Sequence, residues 1–261
     1  SLLLFPSIHN NVNYRRFMGS ITGYWTNMSN MTERTSFYDD QFRTFMNYVL
    51  TGVKKTYKGV EVGVAYRITP SFTVMGAASI SRHQYKNRAQ GTRSYENGQA
   101  ADTTQTVYLK NFYVGGTPQQ AYNIGFKWNA PGMWFFELNG VYMADSYVNL
   151  SPVRHEAMPN LYKVCETEDA LKAKLAEITR QERLNNNFVL NFSIGKLIYL
   201  NRTASLNLNL NVDNVLDNRN IQTSGYQQGR FDYTNYNTSK YPNKYYYAQG
   251  IRAYLNVGVK F

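Results

Sequence analysis

Ile251-Arg252-Ala253-Tyr254-Leu255-Asn256-Val257-Gly258-Val259-Lys260-Phe261 alternates without a break. Ile251, Ala253, Leu255, Val257, Val259 and Phe261 fall on one face; Arg252, Tyr254, Asn256, Gly258 and Lys260 fall on the other. A β-strand turns successive side chains to opposite faces, whereas a helix needs a period of 3.6. The stretch is therefore an amphipathic strand. The same count holds at 204–212, where Leu206, Leu208, Leu210 and Val212 oppose Ser205, Asn207, Asn209 and Asn211. At 187–195, Phe188, Leu190, Phe192 and Ile194 mostly oppose Asn187, Asn191, Ser193 and Gly195.

Working upstream, Tyr122, Ile124, Phe126 and Trp128 alternate with Ala121, Asn123, Gly125 and Lys127. Val60, Val62, Val64, Tyr66 and Ile68 alternate with Gly59, Glu61, Gly63, Ala65 and Arg67. Weaker patterns over 72–81, 133–143 and 14–28 bring the total to about eight strands. The connections between them alternate in length. Thr69-Pro70-Ser71, Asn129-Ala130-Pro131-Gly132 and the stretch at Asn201-Arg202 are short polar turns. The connections at 29–55, 86–118, 144–186 and 213–244 are far longer than the usual 4 to 6 residues or so. Long and short strictly alternate, so every long loop emerges at one end of an up-and-down meander. Within one of them, 166–184 carries Leu171, Leu175 and Ile178 at helical spacing, with Thr167 as N-cap and acidic residues in the first turn; it reads as a short helix set in a loop.

An antiparallel sheet with one apolar and one polar face either packs on a second apolar layer or faces lipid as a barrel wall. The chain holds no second apolar layer or helix set. Strands of roughly 9 to 11 residues, tilted, cross a hydrocarbon core, and Tyr24, Trp25, Tyr57, Tyr66, Trp128, Trp134, Tyr142, Tyr199 and Tyr245 to Tyr247 suit the two interfacial girdles. The expected fold class is all-β: a transmembrane antiparallel up-and-down β-barrel wall with long loops. Two other readings stay open from the residues alone: a complete small outer-membrane barrel acting as a pore or adhesin, and a soluble carbohydrate-binding β-module.

Composition excludes other classes. The 261 residues carry 28 Lys plus Arg against 17 Asp plus Glu, a net charge of +11, yet no basic block occurs and charges within the long loops nearly cancel, so nucleic acid is not an expected partner. Aromatics reach 15%, which no disordered chain shows. The densest apolar clusters, Leu2-Leu3-Leu4-Phe5 and Met133-Trp134-Phe135-Phe136, are four long, against the roughly 18 needed for a membrane helix. One cysteine, Cys165, and three dispersed histidines offer no metal-ligand spacing. No nucleophile elbow, His-Glu-x-x-His or phosphate loop is present, so neither an enzyme nor a cofactor is expected. Asp213 and Asp217 with Asn214 and Asn218 lack the ligand spacing of a calcium loop and suit turn formation. The first residue is Ser1, with no basic and apolar leader, which suggests a fragment or processed chain.

The motifs carry a resemblance. Tyr245 to Phe261, ending in a terminal Phe preceded by apolar residues at every second position, resembles the closing strand of bacterial outer-membrane proteins. Asn211-Val212-Asp213-Asn214-Val215-Leu216-Asp217-Asn218 resembles the Asn-Leu-Phe-Asp element of TonB-dependent receptors, and Tyr57-Lys58-Gly59-Val60-Glu61-Val62 their Gly-x-Glu strand start. Gly225-Tyr226, Gly229-Arg230 and Gly116-Thr117-Pro118 are similar to the receptors of the Bacteroidota. The resemblance implies that 1–261 is the C-terminal part of a 22-stranded barrel, its last third, with the plug domain and TonB-contacting segment absent. It implies a multi-pass place in the bacterial outer membrane and import of a scarce nutrient: a siderophore, glycan, cobalamin or peptide. The implied partners are outer-membrane lipid, the rest of the receptor including its plug, the TonB energy-coupling complex and a surface lipoprotein over the loops. Phe261, Val259, Val257 and Leu255 would form the assembly signal. Phe261 would finish at the periplasmic rim, which puts the long loops outside the cell, with Cys165 accessible in one of them. In the connection 213–244, Arg219, Tyr226, Arg230, Tyr233 and Tyr236 combine aromatic faces with polar forks and are the candidate ligand contacts; the same tyrosines suit an outer girdle or packing of the loop on itself.

Overall fold

The computed structural model describes residues 2–4, 8–39, 42–96, 98 and 100–261; Ser1, and Phe5 of the first apolar cluster, lie outside the described residues. In chain order the strands are β1 Leu2–Leu4, β2 Ile8–Tyr14, β3 Phe17–Asp39, β4 Thr44–Arg67, β5 Phe72–Tyr85, β6 Ala89–Tyr95, β7 Thr103–Val107, β8 Gln120–Ala130 and β9 Trp134–Ala144. They continue with β10 Asn187–Tyr199, β11 Ser205–Asp213, β12 Gln222–Tyr226, β13 Lys244–Tyr247 and β14 Arg252–Lys260. Among the described residues a single α-helix, α1 Glu168–Thr179, sits in the loop before β10, its N-cap Thr167 accepting from Ala170 N at 3.2 Å. No helix among the described residues is long and apolar enough to cross a membrane, which says nothing of strands.

The eight strands expected from alternation are β3, β4, β5, β8, β9, β10, β11 and β14. They form one antiparallel sheet in chain order; β1 and β2 pair along the outer edge of β3, and the sheet does not close on itself among the described residues. One line of paired residues runs Phe17, Tyr66, Val74, Phe126, Leu138, Phe192, Val212, Ala253, each the register partner of the next. Every member is apolar or aromatic, so the apolar stripes of all eight strands coincide on one face. That agreement carries the fold, because a one-residue slip at any pairing would invert the face beyond it. Phe17 begins β3, while Ala253 lies seven residues before Lys260, the end of β14. The line thus climbs about one residue per strand, a tilt of roughly 35° at normal strand rise and spacing.

The opposite face is polar. Asn123 donates to Asn139 at 2.6 Å across β8 and β9, and the Ser193 hydroxyl sits 3.0 Å from Asn209 and 2.8 Å from Asn211. These amides satisfy one another along the sheet, so the face needs no apolar cover.

The short turns lie at one end. Thr69 Oγ1 accepts from Phe72 N at 3.0 Å, and Asn201 Oδ1 collects the backbone N–H groups of Thr203 and Ala204. Pro131, Gly132 and Met133 make the turn between β8 and β9, the last two at φ +74° and +61°.

At the other end the long connections are more ordered than the sequence suggests. The expected loop at 29–55 is mostly strand: β3 and β4 continue as a ribbon to Asp39 and Thr44, bulged at Met28, Met31 and Glu33, and β6 with β7 adds to the same edge. The apolar core lies here. Met46, Tyr48, Leu50 and Val53 from the ribbon pack with Ala89, Val107, Val153, Leu161, Ile178 and Phe231 from three other connections. The long loops therefore form one cap rather than four independent excursions. Cys165 is half-buried against that core, so the thiol is less accessible than expected of an exposed loop.

Candidate ligand site in the loop cap

Pro152–His155 forms a buried 3₁₀ turn, and the chain leaves it extended at Glu156, which bridges to Val107 of β7. This places the Glu156 carboxylate, its side chain 2% exposed, against β4 and β6. Tyr48 and Arg93 are register partners on those strands. The Tyr48 hydroxyl donates to Glu156 Oε1 at 2.5 Å, Arg93 Nε donates to the same oxygen at 3.3 Å, and Arg93 Nη2 pairs with Oε2. Gly91 makes room for this: a Cβ there would collide with the Tyr48 ring. From the last long loop, Tyr233 accepts from Arg93 Nη2 at 2.8 Å.

Burial, then the Glu156 charge, pushes the Tyr48 hydroxyl far above its ordinary pKa, which keeps it a donor. Burial likewise raises Tyr233, with Arg93 opposing. Burial alone would lower Arg93, but Tyr233 and Glu156 outweigh it and hold the guanidinium charged. A buried ion pair of this kind is stable only while both partners remain.

Above the cluster lies a cavity of about 570 Å³ whose wall includes Arg93, Glu156, Asp232, Tyr233, Lys240 and Tyr241. Phe231 braces it, edge-on to Tyr233 at 5.2 Å and to Tyr236 at 6.0 Å. Asp232 caps the turn by accepting from Thr234 N at 3.3 Å and lies 3.8 Å from Lys240 Nζ. The cations of the wall are thus matched by carboxylates, leaving tyrosine faces and a neutral rim of polar forks. Such a cavity fits a ligand held by stacking and hydrogen bonds, with no strong field for either sign of charge. Next to it, Arg154 donates to Tyr241 O at 2.7 Å, and burial lowers its pKa.

Of the five candidates from the sequence, the structure brings Tyr233 and Tyr236 into the cavity wall. Arg230 lies over the Tyr241 ring at 4.6 Å and buttresses that wall. Arg219 is elsewhere, paired with Asp217 at 3.1 Å on the rim beside β14. Tyr226 is in β12, packed on Tyr246 at 5.9 Å. Asp213 to Asn218 form a hydrogen-bonded turn: Asn214 Oδ1 accepts from Asn218 N at 3.1 Å, Asp217 accepts from Ile251 N at 2.9 Å, and Arg252 meets Asp213 at 3.2 Å. Tyr48, Arg93, Glu156 and Lys240 were not singled out from the sequence. They lie far apart along the chain: the pairing of β6 on the ribbon joins Tyr48 to Arg93, the bridge to Val107 brings in Glu156, and the last long loop brings in Lys240.

No protein-family model matches the sequence, and no match occurs among curated proteins. Solved structures do match. The ferric-catecholate import receptor Fiu from Escherichia coli K12 aligns with 97% of this chain and 26% of its own, at 14% identity and a TM-score of 0.48. The siderophore receptor PiuA from Acinetobacter baumannii aligns with 93% of this chain and 34% of its own, at 12% identity and 0.49. A chain of the FpvAI–pyocin S2 complex aligns with 99% of this chain and 27% of its own, at 13% identity and 0.48. The chain therefore spans about a quarter to a third of the length of each.

Proposed function

We propose that this chain is a wall and loop-cap segment of a TonB-dependent outer-membrane transporter, importing a nutrient too large for open pores. The observation that carries the reading is the line of register partners from Phe17 to Ala253: one apolar face, continuous over eight tilted strands, with a hydrogen-bonded amide face behind it and an ordered cap at one end. Lipid is the cover that such an unpartnered apolar face needs. In lipid no sheet edge can remain unpaired, so further strands close the wall at β14 and at the N-terminal edge, and a plug fills the lumen. This favours the receptor over a complete small barrel. The loop cap faces outward and its cavity receives the ligand: a siderophore, glycan, cobalamin or peptide, with a surface lipoprotein resting above. Phe261, Val259, Val257 and Leu255 present the signal for insertion, and the Gly-rich loop motifs fit the Bacteroidota type.

Uptake tests the reading. Removing the protein from its host and supplying an iron chelate, cobalamin, an oligosaccharide or a peptide as the limiting nutrient should abolish growth on one of them. Restoring it with Tyr241→Ala should raise the concentration for half-maximal uptake by about tenfold, equivalent to roughly 1.4 kcal/mol of binding. Unchanged growth on all four would overturn the proposal.

A further inference from the structure

Where the apolar face of the sheet ends on the cap side, its next residues are cations. Trp25, Lys58 and Arg82 are successive register partners across β3, β4 and β5. They share the face of Val60 and Ile80, which are one another's partners one step nearer the short turns. Lys58 and Arg82 are both exposed, directly opposite each other, and neither makes an ion pair among the described residues. Like charges in that relation repel. The carboxylate that lines the same depression, Asp145, is already held by Arg183 at 2.8 Å and by the Gln120 amide at 2.5 Å. Lys58 lies 6.0 Å from the Trp25 ring centroid, so the indole shields one side of the ammonium and leaves the other open. The depression is concave, about 610 Å³, with Ile80 and Val60 below, the two cations in the middle and Tyr147 above.

We propose that this depression binds the phosphate-bearing headgroup of a lipid in the leaflet on the long-loop side. The inference rests on the membrane reading of the sheet and goes beyond it by assigning a site. The order of residues along the strands matches the order of chemistry along such a lipid. Ile80 and Val60 meet the acyl chains, Trp25 sits at the boundary where indole rings collect, and the Arg82 fork with the Lys58 ammonium meets the phosphate oxygens. An anion between Lys58 and Arg82 also removes their mutual repulsion, which nothing in the described residues does.

The test uses the full-length protein in nanodiscs of phosphatidylcholine doped with phosphatidylglycerol or with lipid A. Native mass spectrometry after detergent release reads the lipid retained. Preferential retention of the phosphate-rich lipid should fall at least about fivefold in Lys58→Gln/Arg82→Gln and stay unchanged in Lys172→Gln, which alters an exposed lysine on α1. Equal loss in both variants, or no preference in the unaltered protein, would overturn the site. Full competition by inorganic phosphate would also overturn it, by assigning the pair to a soluble anion. A protein that fails to enter the nanodisc would defeat the membrane reading beneath it, and this is seen separately as absence of the disc complex.

Discussion

Arg93 and Glu156 hold the loop cap together by a bond that is costly to half-remove. With Glu156 at 2% side-chain exposure and Arg93 at 12%, deleting one partner strands the other charge away from water. Arg93→Met should therefore destabilise the cap by about 3 to 5 kcal/mol, while Arg93→Met/Glu156→Leu should recover much of the loss. Thermal unfolding of the cap followed by near-UV circular dichroism distinguishes them; a double variant no better than the single one would show that the pair is not the keystone. His155 makes a second residue-scale case. It is 1% exposed, its ring nitrogens find no hydrogen-bond partner among the described residues, and burial followed by Arg154 lowers its pKa to about 4. The unfolded chain binds the proton more readily, so stability is full above the ordinary histidine pKa near 6.5 and falls as the pH drops toward about 4, by roughly 3 kcal/mol in all. His155→Leu should flatten that part of the pH dependence. A parallel slope in both proteins would assign the acid sensitivity to other groups.

At the scale of elements, strands with one apolar and one polar face were readable because a period of two survives in the sequence. Arg252–Lys260, Ser205–Asp213 and Asn187–Tyr199 match the expected spans within a few residues. The ribbon beyond Met28 was not readable. In 44–53 the buried Met46, Tyr48 and Leu50 alternate with Phe45 and Val49, which are also apolar, so the period disappears. β6 and β7 failed for the opposite reason: Ala89 to Tyr95 and Thr103 to Val107 are mostly polar and owe their form to the edge they join. α1 was legible because its cap and first-turn acids are local signals. The cavity was half legible, as Tyr233 and Tyr236 are neighbours in sequence, whereas Arg93 and Glu156 meet only through tertiary pairing. The face assignment itself can be tested on β14. Leu255 is partnered with Leu210 on the apolar face and Asn256 with Asn209 on the polar one. On the proposed membrane reading, a cation at Leu255 enters hydrocarbon at a cost of roughly 2 to 4 kcal/mol near the midplane. Leu255→Arg should lower the amount of protein in the outer membrane and Asn256→Arg should not. Equal abundance of the two would mean that the faces are not as assigned.

At the scale of the whole molecule, the chain is a tilted wall carrying a folded cap at one end and tight turns at the other, and this polarity makes a prediction about sides. Outer-membrane barrels keep long loops outside and short turns within. Every long connection here, and the only apolar core among the described residues, lies at one end. Phe261, like the turns at Thr69, Pro131 and Asn201, lies at the other. Cys165 is a poor reporter because it packs on the cap core, so the test needs placed thiols in a Cys165→Ser background. Lys172 on α1 has a side chain 67% exposed, and Arg202 is exposed in the turn between β10 and β11. On intact cells, a membrane-impermeant maleimide should label Lys172→Cys and leave Arg202→Cys untouched until the outer membrane is opened. The reverse pattern would invert the molecule in the membrane. Labelling of both on intact cells would mean that the sheet does not span it, and the apolar line from Phe17 to Ala253 would then need a protein partner in place of lipid.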